Sequence, residues 1–213
     1  MGQKVNPVSF RTGEFVDWKA RWFASKSEFK GKLLADIRLR RSLMARLKVA
    51  GITDVIVERL PKAITVRLFV TRPGMVIGRG GSGVEEIRQF ISKILEGVPG
   101  TKIEVSIEEV REPELSARLV VNRIVQELER RLPARRVVNK SMERVIAAGA
   151  LGIKVVLAGR IGGAEIGRHE KYHSGSVPSQ TMRANIDYAQ EHASLKKGYV
   201  GIKVWIHRKD ESR

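Results

Sequence analysis

Between Ala63 and Ile94 the apolar period of the chain changes across a cluster of glycines, and this change restricts the fold more than any other feature. In "AITVRLFV", Ile64, Val66, Leu68 and Val70 alternate with Thr65, Arg67 and Phe69, the pattern of a half-buried strand. In "SGVEEIRQFISKI", Val84, Ile87, Ile91 and Ile94 recur at helical spacing. Between the two stands "RPGMVIGRGG". Pro73 cannot continue a sheet ladder, so the strand must end there and a turn must lead into the helix. Two descriptions fit that turn. Gly78, Gly80 and Gly83 spell G-x-G-x-x-G, the dinucleotide-binding fingerprint, whereas Gly78 to Gly81 spell the G-x-x-G of RNA-binding KH modules. Both set the start of a helix against phosphate.

The surroundings decide between them. The dinucleotide fingerprint requires a buried strand immediately before its first glycine, within a βαβ unit. Here only Met75-Val76-Ile77 separate Arg72-Pro73-Gly74 from Gly78, too few for a central strand. "KIEVSIEEV" lies where a second strand belongs, and Glu104 or Glu108 could pose as the ribose acid. Residues 113–149, however, read as two successive helices, not as a helix and a third parallel strand. The KH reading suits all of this. Its glycines let a nucleic-acid backbone approach the main chain, and Gly78, Arg79, Gly80 and Gly81 are the expected RNA-binding turn. A glycine turn between packed helices that holds no ligand is the bland alternative.

Around this turn the pattern reads helix, strand, strand, turn, helix, strand. From Ser27 to Ala50, Leu33, Leu34, Ile37, Met44 and Leu47 mark a helix that stops near Gly51. "DVIVERL" and "AITVRLFV" are strands joined at Pro61-Lys62; the later helix should end near Gly97–Gly100, and "KIEVSIEEV" closes the unit. Arg111-Glu112-Pro113 is the expected boundary. Beyond it, Leu115, Leu119, Ile124, Leu128 and Leu132 give one helix face, and Val138, Met142 and Val145 mark a second helix after Pro133. "IKVVLAG", a pair of strands within 168–194, and "VGIKVWI" complete an α+β domain. The expected organisation is a basic N-terminal arm over 1–26, a KH domain over 27–110 and a second α+β domain over 111–213. The arm, with Trp18, Trp22 and Phe23, either orders on a partner or packs as a cap on its own domain.

Charge points to the class of partner. The net charge is +17, far more than solubility requires, and a polyanion would relieve the repulsion. Residues 51–110, which hold the glycine turn, contain 8 Lys/Arg and 8 Asp/Glu, whereas residues 1–50 contain 12 against 4. Most of the attraction must therefore come from outside the turn. The absence of cysteine excludes thiol chemistry and Cys-based zinc sites. No signal-peptide core opens the sequence and no apolar run reaches the roughly 20 residues of a membrane span, so a cytosolic protein is expected.

"HEKYH" at 169–173 matches the zinc-protease signature H-E-x-x-H. That chemistry needs both histidines one helical turn apart, but Gly167 and Ser174–Pro178 leave no room for a stable helix. In a strand the two rings share a face about 13 Å apart at 3.3 Å per residue, too far for one metal. No metal and no cofactor are expected; His169, Lys171 and His173 should face phosphate or solvent. A stronger signal runs from Arg130 to Arg144. Arg130 and Arg131 end one helix, Arg135 and Arg136 begin the next, and Lys140 and Arg144 follow Arg136 at i+4 and i+8. Such a stripe can follow a single-stranded backbone without reading sequence; a merely solvated cationic face is the alternative.

Taken with "MGQKVNP", "RPGMVIGRGG", "REPEL", "GRIGGAEIGR", "MRANIDYA" and "GIKVWI", the chain closely resembles, nearly end to end, the bacterial members of universal ribosomal protein family three of the small subunit. The resemblance implies a type II KH domain followed by a two-layer α+β domain with a mostly antiparallel sheet, and a structural, non-enzymatic role in the cytoplasmic ribosome. It implies binding to small-subunit ribosomal RNA, contact with messenger RNA where it enters the subunit, and packing with small-subunit proteins ten and fourteen. In that family an arginine pair early in the second C-terminal helix helps to unwind structured messenger. Arg135 and Arg136 match the pair, while Asn139, with Lys140 beside it, stands where the family has lysine. Candidates for ribosomal RNA are Lys4, Arg11, Lys19, Arg21, Arg72, Arg160, Arg168, His169, Lys171, His173 and Arg183.

Overall fold

The computed structural model of the protein describes residues 3–95 and 102–209, so the expected helix end at Gly97–Gly100 lies outside it. Two compact units are formed, one by Trp18–Arg111 and the other by Met1–Asp17 together with Glu112–Arg213. The residues expected to form one arm are thus divided between the units. The first of them form helix α1 (Pro7–Arg11), capped by Asn6, whose side chain accepts from the Val8 amide at 2.9 Å, with Pro7 at the first helical position. Arg11 fastens this segment to the second unit. Its side chain is 1% exposed and donates to the carbonyls of Ala184 (2.7 Å), Pro7 (2.9 Å), Thr181 (2.6 Å) and Ser179 (3.3 Å).

The Trp18–Arg111 unit contains β1 (Ala20–Arg21), α2 (Lys26–Arg46), β2 (Ile52–Arg59), β3 (Ala63–Val70), α3 (Pro73–Ile77), α4 (Ser82–Ile94) and β4 (Lys102–Glu109). The strands form one mixed sheet in the order β1-β2-β3-β4, with β2 and β3 antiparallel and the outer pairings parallel. Ile64, Val66, Leu68 and Val70 all face the core, and Ile87 and Ile91 of α4 pack against them. Burial of one such aliphatic side chain contributes about 1.5–3 kcal/mol, so the alternation itself fixes the register.

On α2 the observed face differs from the expected one. Leu39, Leu43 and Leu47 are buried together with Asp36, whereas Leu33, Leu34 and Ile37 are 37–43% exposed. The 21-residue helix carries apolar side chains on more than one side, and a polar anchor selects the buried side. The Asp36 carboxylate, 3% exposed, accepts from Arg59 Nε at 2.9 Å and from Trp22 Nε1 at 2.6 Å. A buried carboxylate is tolerated only when it is paired and hydrogen-bonded, so this clamp sets the rotation of α2.

The second unit contains, after α1, the helices α5 (Ala117–Glu129) and α6 (Ala134–Ala147) and the strands β5 (Gly152–Gly159), β6 (Arg168–Gly175), β7 (Ile186–Leu195) and β8 (Gly198–His207). Its sheet is antiparallel throughout, in the order β6-β5-β8-β7. The two strands within 168–195 therefore lie at opposite edges and do not pair with each other. Helices α5 and α6 cover one face through Val120, Val121, Ile124, Val125, Val138 and Val145, against Ile153, Val155, Leu157 and Ile202. Leu132, expected on the α5 face, is 46% exposed, because the helix has already ended. Arg123 grips Glu114 with both nitrogens at 2.5 and 2.6 Å, which holds the Glu114 carboxyl below its ordinary range and ties the turn at Pro113–Leu115 to α5. Among the described residues no helix is long and apolar enough to cross a membrane.

Candidate nucleic-acid interface

The glycine turn is built as a bend between two helices. The apolar triplet before it belongs to the short helix α3, which ends as Gly78 enters the left-handed region at φ 69°. Gly80 (64°) and Gly81 (82°) follow there, and α4 starts at Ser82. Side chains at these positions would be strained, so G-x-x-G is a backbone requirement. Gly83 has a different reason: a Cβ on it would lie 2.3 Å from the Val76 carbonyl oxygen and 3.0 Å from that of Ile77. It lets α3 and α4 touch, which explains how a packing glycine completes an accidental G-x-G-x-x-G. Arg79 is exposed at the tip; Met75 and Ile77 are 55% and 40% exposed beside it. Close by, Arg88 reaches Glu85 at 3.2 Å and Arg46 reaches Glu86 at 3.1 Å, which keeps the local charge low.

The basic helix is as spaced. Val137, Val138, Ser141 and Val145 bury one side of α6, leaving Arg136, Lys140 and Arg144 exposed in one stripe with Arg135 beside it. Three local penalties converge at its start. Arg131 occupies the left-handed region at φ 64°, as the only non-glycine among the described residues to do so. It stands at the end of α5, where Leu132 N–H bonds back to Glu127 O at 3.2 Å, a place that ordinarily takes glycine. Arg135 and Arg136 add two cations to a first turn that contains no acid, at the positive end of the helix dipole. Local choices that oppose stability are expected where side chains serve a ligand.

The structure sorts the remaining candidates. Arg11 is a correction: it is buried and its donors are directed to four carbonyls, so it anchors the N-terminal segment and offers nothing to RNA. Lys19 is ion-paired with Asp54, and Arg21 lies 3.4 Å from Glu58. Arg160 donates to the Ala164 carbonyl at 2.7 Å and bends the chain after β5. Arg72, Arg168 and Arg183 are exposed but dispersed. His169, Lys171 and His173 occupy alternate positions of β6 and share its outward side. "HEKYH" is thus a strand, and the helical geometry of a zinc protease is not formed. Lys4 lies over the Trp205 ring at 5.7 Å, at that same face.

Lys154, Lys203, His192 and His207 were missed from the sequence. Each occupies an outward position of its strand. That they are neighbours follows only from the strand order. Lys154 faces His173 on one side and Trp205 on the other. The closeness of the Lys4 ammonium, burial and the charge of Lys171 push the pKa of Lys154 down to about 8.

A chain with two α+β units, the first a KH fold with its glycine turn between helices and the second an antiparallel sheet with basic margins, defines a nucleic-acid-binding protein. Comparison with known proteins makes this specific. A family model described as KH domain matches residues 38–115, and one described as Ribosomal protein S3, C-terminal domain matches residues 124–206. The chain is 44% identical over 212 residues to small ribosomal subunit protein uS3 of Persephonella marina, covering 99% of this chain and 92% of that one. It is 46% identical over 208 residues to uS3 of Salinibacter ruber, covering 98% and 86%. With uS3 of Protochlamydia amoebophila it shares 42% over 212 residues, covering 100% and 97%. The chain belongs to the family of small ribosomal subunit protein uS3.

Proposed function

We propose that this chain is an RNA-binding structural constituent of the small ribosomal subunit, seated on the subunit head, and that helix α6 meets messenger RNA where it enters. The observation that carries the messenger contact is the exposed stripe Arg136-Lys140-Arg144, with Arg135 beside it and the strained Arg131 at its start. Exposed cations at one-turn intervals bind a single strand through its phosphates and hold it apart from a complementary strand. Arg135 and Arg136 carry the unwinding, and Asn139, one turn on from Arg135, brings no charge where the family has lysine. The KH turn at Gly78–Gly81 is one RNA contact among several, because its own surroundings are electrically balanced. Small-subunit proteins ten and fourteen are the expected protein neighbours. The role is structural, in keeping with the uS3 family, and no residue acts as a catalyst.

Replacing Arg135 and Arg136 by Ala tests the reading. Translation through a stable messenger hairpin is expected to slow several-fold more than translation through unstructured messenger, measured on the same ribosomes. Equal slowing of both would remove the unwinding role. Tagged protein found only in light sedimentation fractions at moderate salt, away from small subunits, would contradict the ribosomal reading as a whole.

A further inference from the structure

The outward face of the second sheet holds a charge pattern that neither the glycine turn nor α6 explains. The pairing registers place alternate residues of four strands on it: 152 to 158 of β5, 169 to 175 of β6, 186 to 194 of β7 and 199 to 207 of β8. No aspartate or glutamate occurs at any of these positions, because Glu170, Asp187 and Glu191 all fall on the opposite parity. The face carries Lys154, Lys171 and Lys203, and Lys4 reaches its Trp205 end. All four histidines of the chain, His169, His173, His192 and His207, lie on it as well. Cations placed together without a counter-ion repel one another, and the pKa of Lys154 is lowered by the closeness of Lys4, by burial and by the charge of Lys171.

The floor of the face is low. One row across the sheet runs His192, Gly201, Ala158, His169, so two small residues separate imidazoles about 14 Å apart at some 4.8 Å per strand. The aromatic groups are not presented for stacking. Trp205 is 9% exposed, lies 5.2 Å from the Tyr188 ring and is flanked by the ammoniums of Lys4 and Lys154, each at 5.7 Å. Tyr188 donates its hydroxyl to Gln190 at 2.8 Å. Of the face's aromatics only Tyr199, at the far end, is largely exposed. Unpaired bases need several stacking partners, whereas an RNA duplex is gripped by cations on its backbone.

We infer that the outward face of the β6-β5-β8-β7 sheet is a docking platform for the sugar-phosphate backbone of double-stranded RNA, with Lys154, Lys171 and Lys203 as its principal phosphate contacts. This rests on the RNA-binding reading and adds to it the surface and the form of RNA. Bound phosphates would neutralise cations that the free protein leaves mutually opposed, and binding near pH 8 would return a proton to Lys154.

The test measures fluorescence anisotropy of the full chain with a labelled RNA duplex, and with labelled poly(U), over a potassium chloride series. The variants are Lys154→Gln/Lys171→Gln/Lys203→Gln and the charge-keeping Lys154→Arg/Lys171→Arg/Lys203→Arg. Each phosphate contact contributes about 0.9 to the slope of log K against log salt, so the Gln variant should lose about 2.7 of that slope for duplex. The Arg variant should keep it, and poly(U) binding should change less. Equal duplex slopes for wild type and Gln variant would overturn the platform while leaving RNA binding by the protein intact. Loss confined to poly(U) would overturn the duplex assignment. If the Gln variant bound duplex normally yet failed to join small subunits, the face would seat a protein and the inference would be wrong. A wild type with no salt-dependent binding to either RNA would instead sink the RNA-binding reading beneath it.

Discussion

The two sheets of this protein share a plan and differ in what they turn outward. Each has four strands with two long helices on one face. The outward face of the first sheet carries Asp54, Glu58, Glu104 and Glu108, and its cations are matched to them: Lys19 with Asp54, Arg67 and Arg21 with Glu58, Lys102 with Glu104. The outward face of the second has lysines and histidines and no carboxylate. Exposed ion pairs contribute little to stability, about 0–1 kcal/mol each, but they cancel a field. The first sheet is therefore neutral towards a polyanion, and the second attracts one. The shared architecture leaves the two outward faces free to differ, and the outward parity of the strands sets the charge of each.

The contrast is best broken where the first unit uses charge internally. Asp36→Ala removes the carboxylate that Arg59 and Trp22 share, leaving a buried cation and an indole N–H without their acceptor. A loss of about 3–5 kcal/mol in urea unfolding of the first unit is expected, with the second unit's transition unchanged. A loss below about 1 kcal/mol would mean that Asp36 does not orient α2. Next in size is Gly83→Ala. Its Cβ would meet the Val76 carbonyl oxygen at 2.3 Å, so α3 and α4 must separate, at a cost of about 1–3 kcal/mol. An unchanged melting temperature would show that the turn tolerates the shift.

At Arg131 and Lys154 of the second unit the expected signs reverse, because these two cations oppose stability. Arg131→Gly relieves a left-handed arginine and should stabilise by about 1 kcal/mol, while removing a cation and lowering the RNA salt slope by up to about 0.9. Stabilisation without loss of slope would separate Arg131 from RNA. The smallest effect is expected from Lys154→Met. In the folded protein Lys154 holds its proton less tightly than in the unfolded chain, and this penalty is fully present below about pH 8. The variant should thus be more stable at pH 7, and the gain should shrink as pH rises from about 8 towards the ordinary lysine value of 10.5. A gain that stays constant over that range would point to packing as its source.

Much of this fold was legible because burial leaves a period in the sequence. The alternation in β3, the 3.6-residue repeat in α4 and the glycines between them defined the first unit, and the context of Gly78 separated a KH turn from a dinucleotide loop. The reading failed where burial was decided by something other than apolar period. On α2 a buried aspartate set the rotation, so Leu33 and Ile37 ended outside. Arg11 looked like one more cation of a basic arm, yet three of the carbonyls it meets lie some 170 residues away. Lys154 and Lys203 were visible as outward residues of readable strands, but their proximity to His173, Lys171 and Trp205 depends on the order β6-β5-β8-β7. Strand order is a long-range property that no local spacing records.

The two charge patterns predict that RNA meets the acid-free sheet and the α6 stripe and avoids the neutralised sheet. A residue-by-residue map of ultraviolet crosslinks between this chain and RNA, taken in assembled small subunits, tests it most directly. Adducts are expected at Lys154, Lys171, Lys203 and their histidine neighbours, and along Arg136, Lys140 and Arg144, with none at Thr65, Arg67 or Phe69. Adducts concentrated on Thr65, Arg67 and Phe69, with the second sheet's outward face bare, would contradict it.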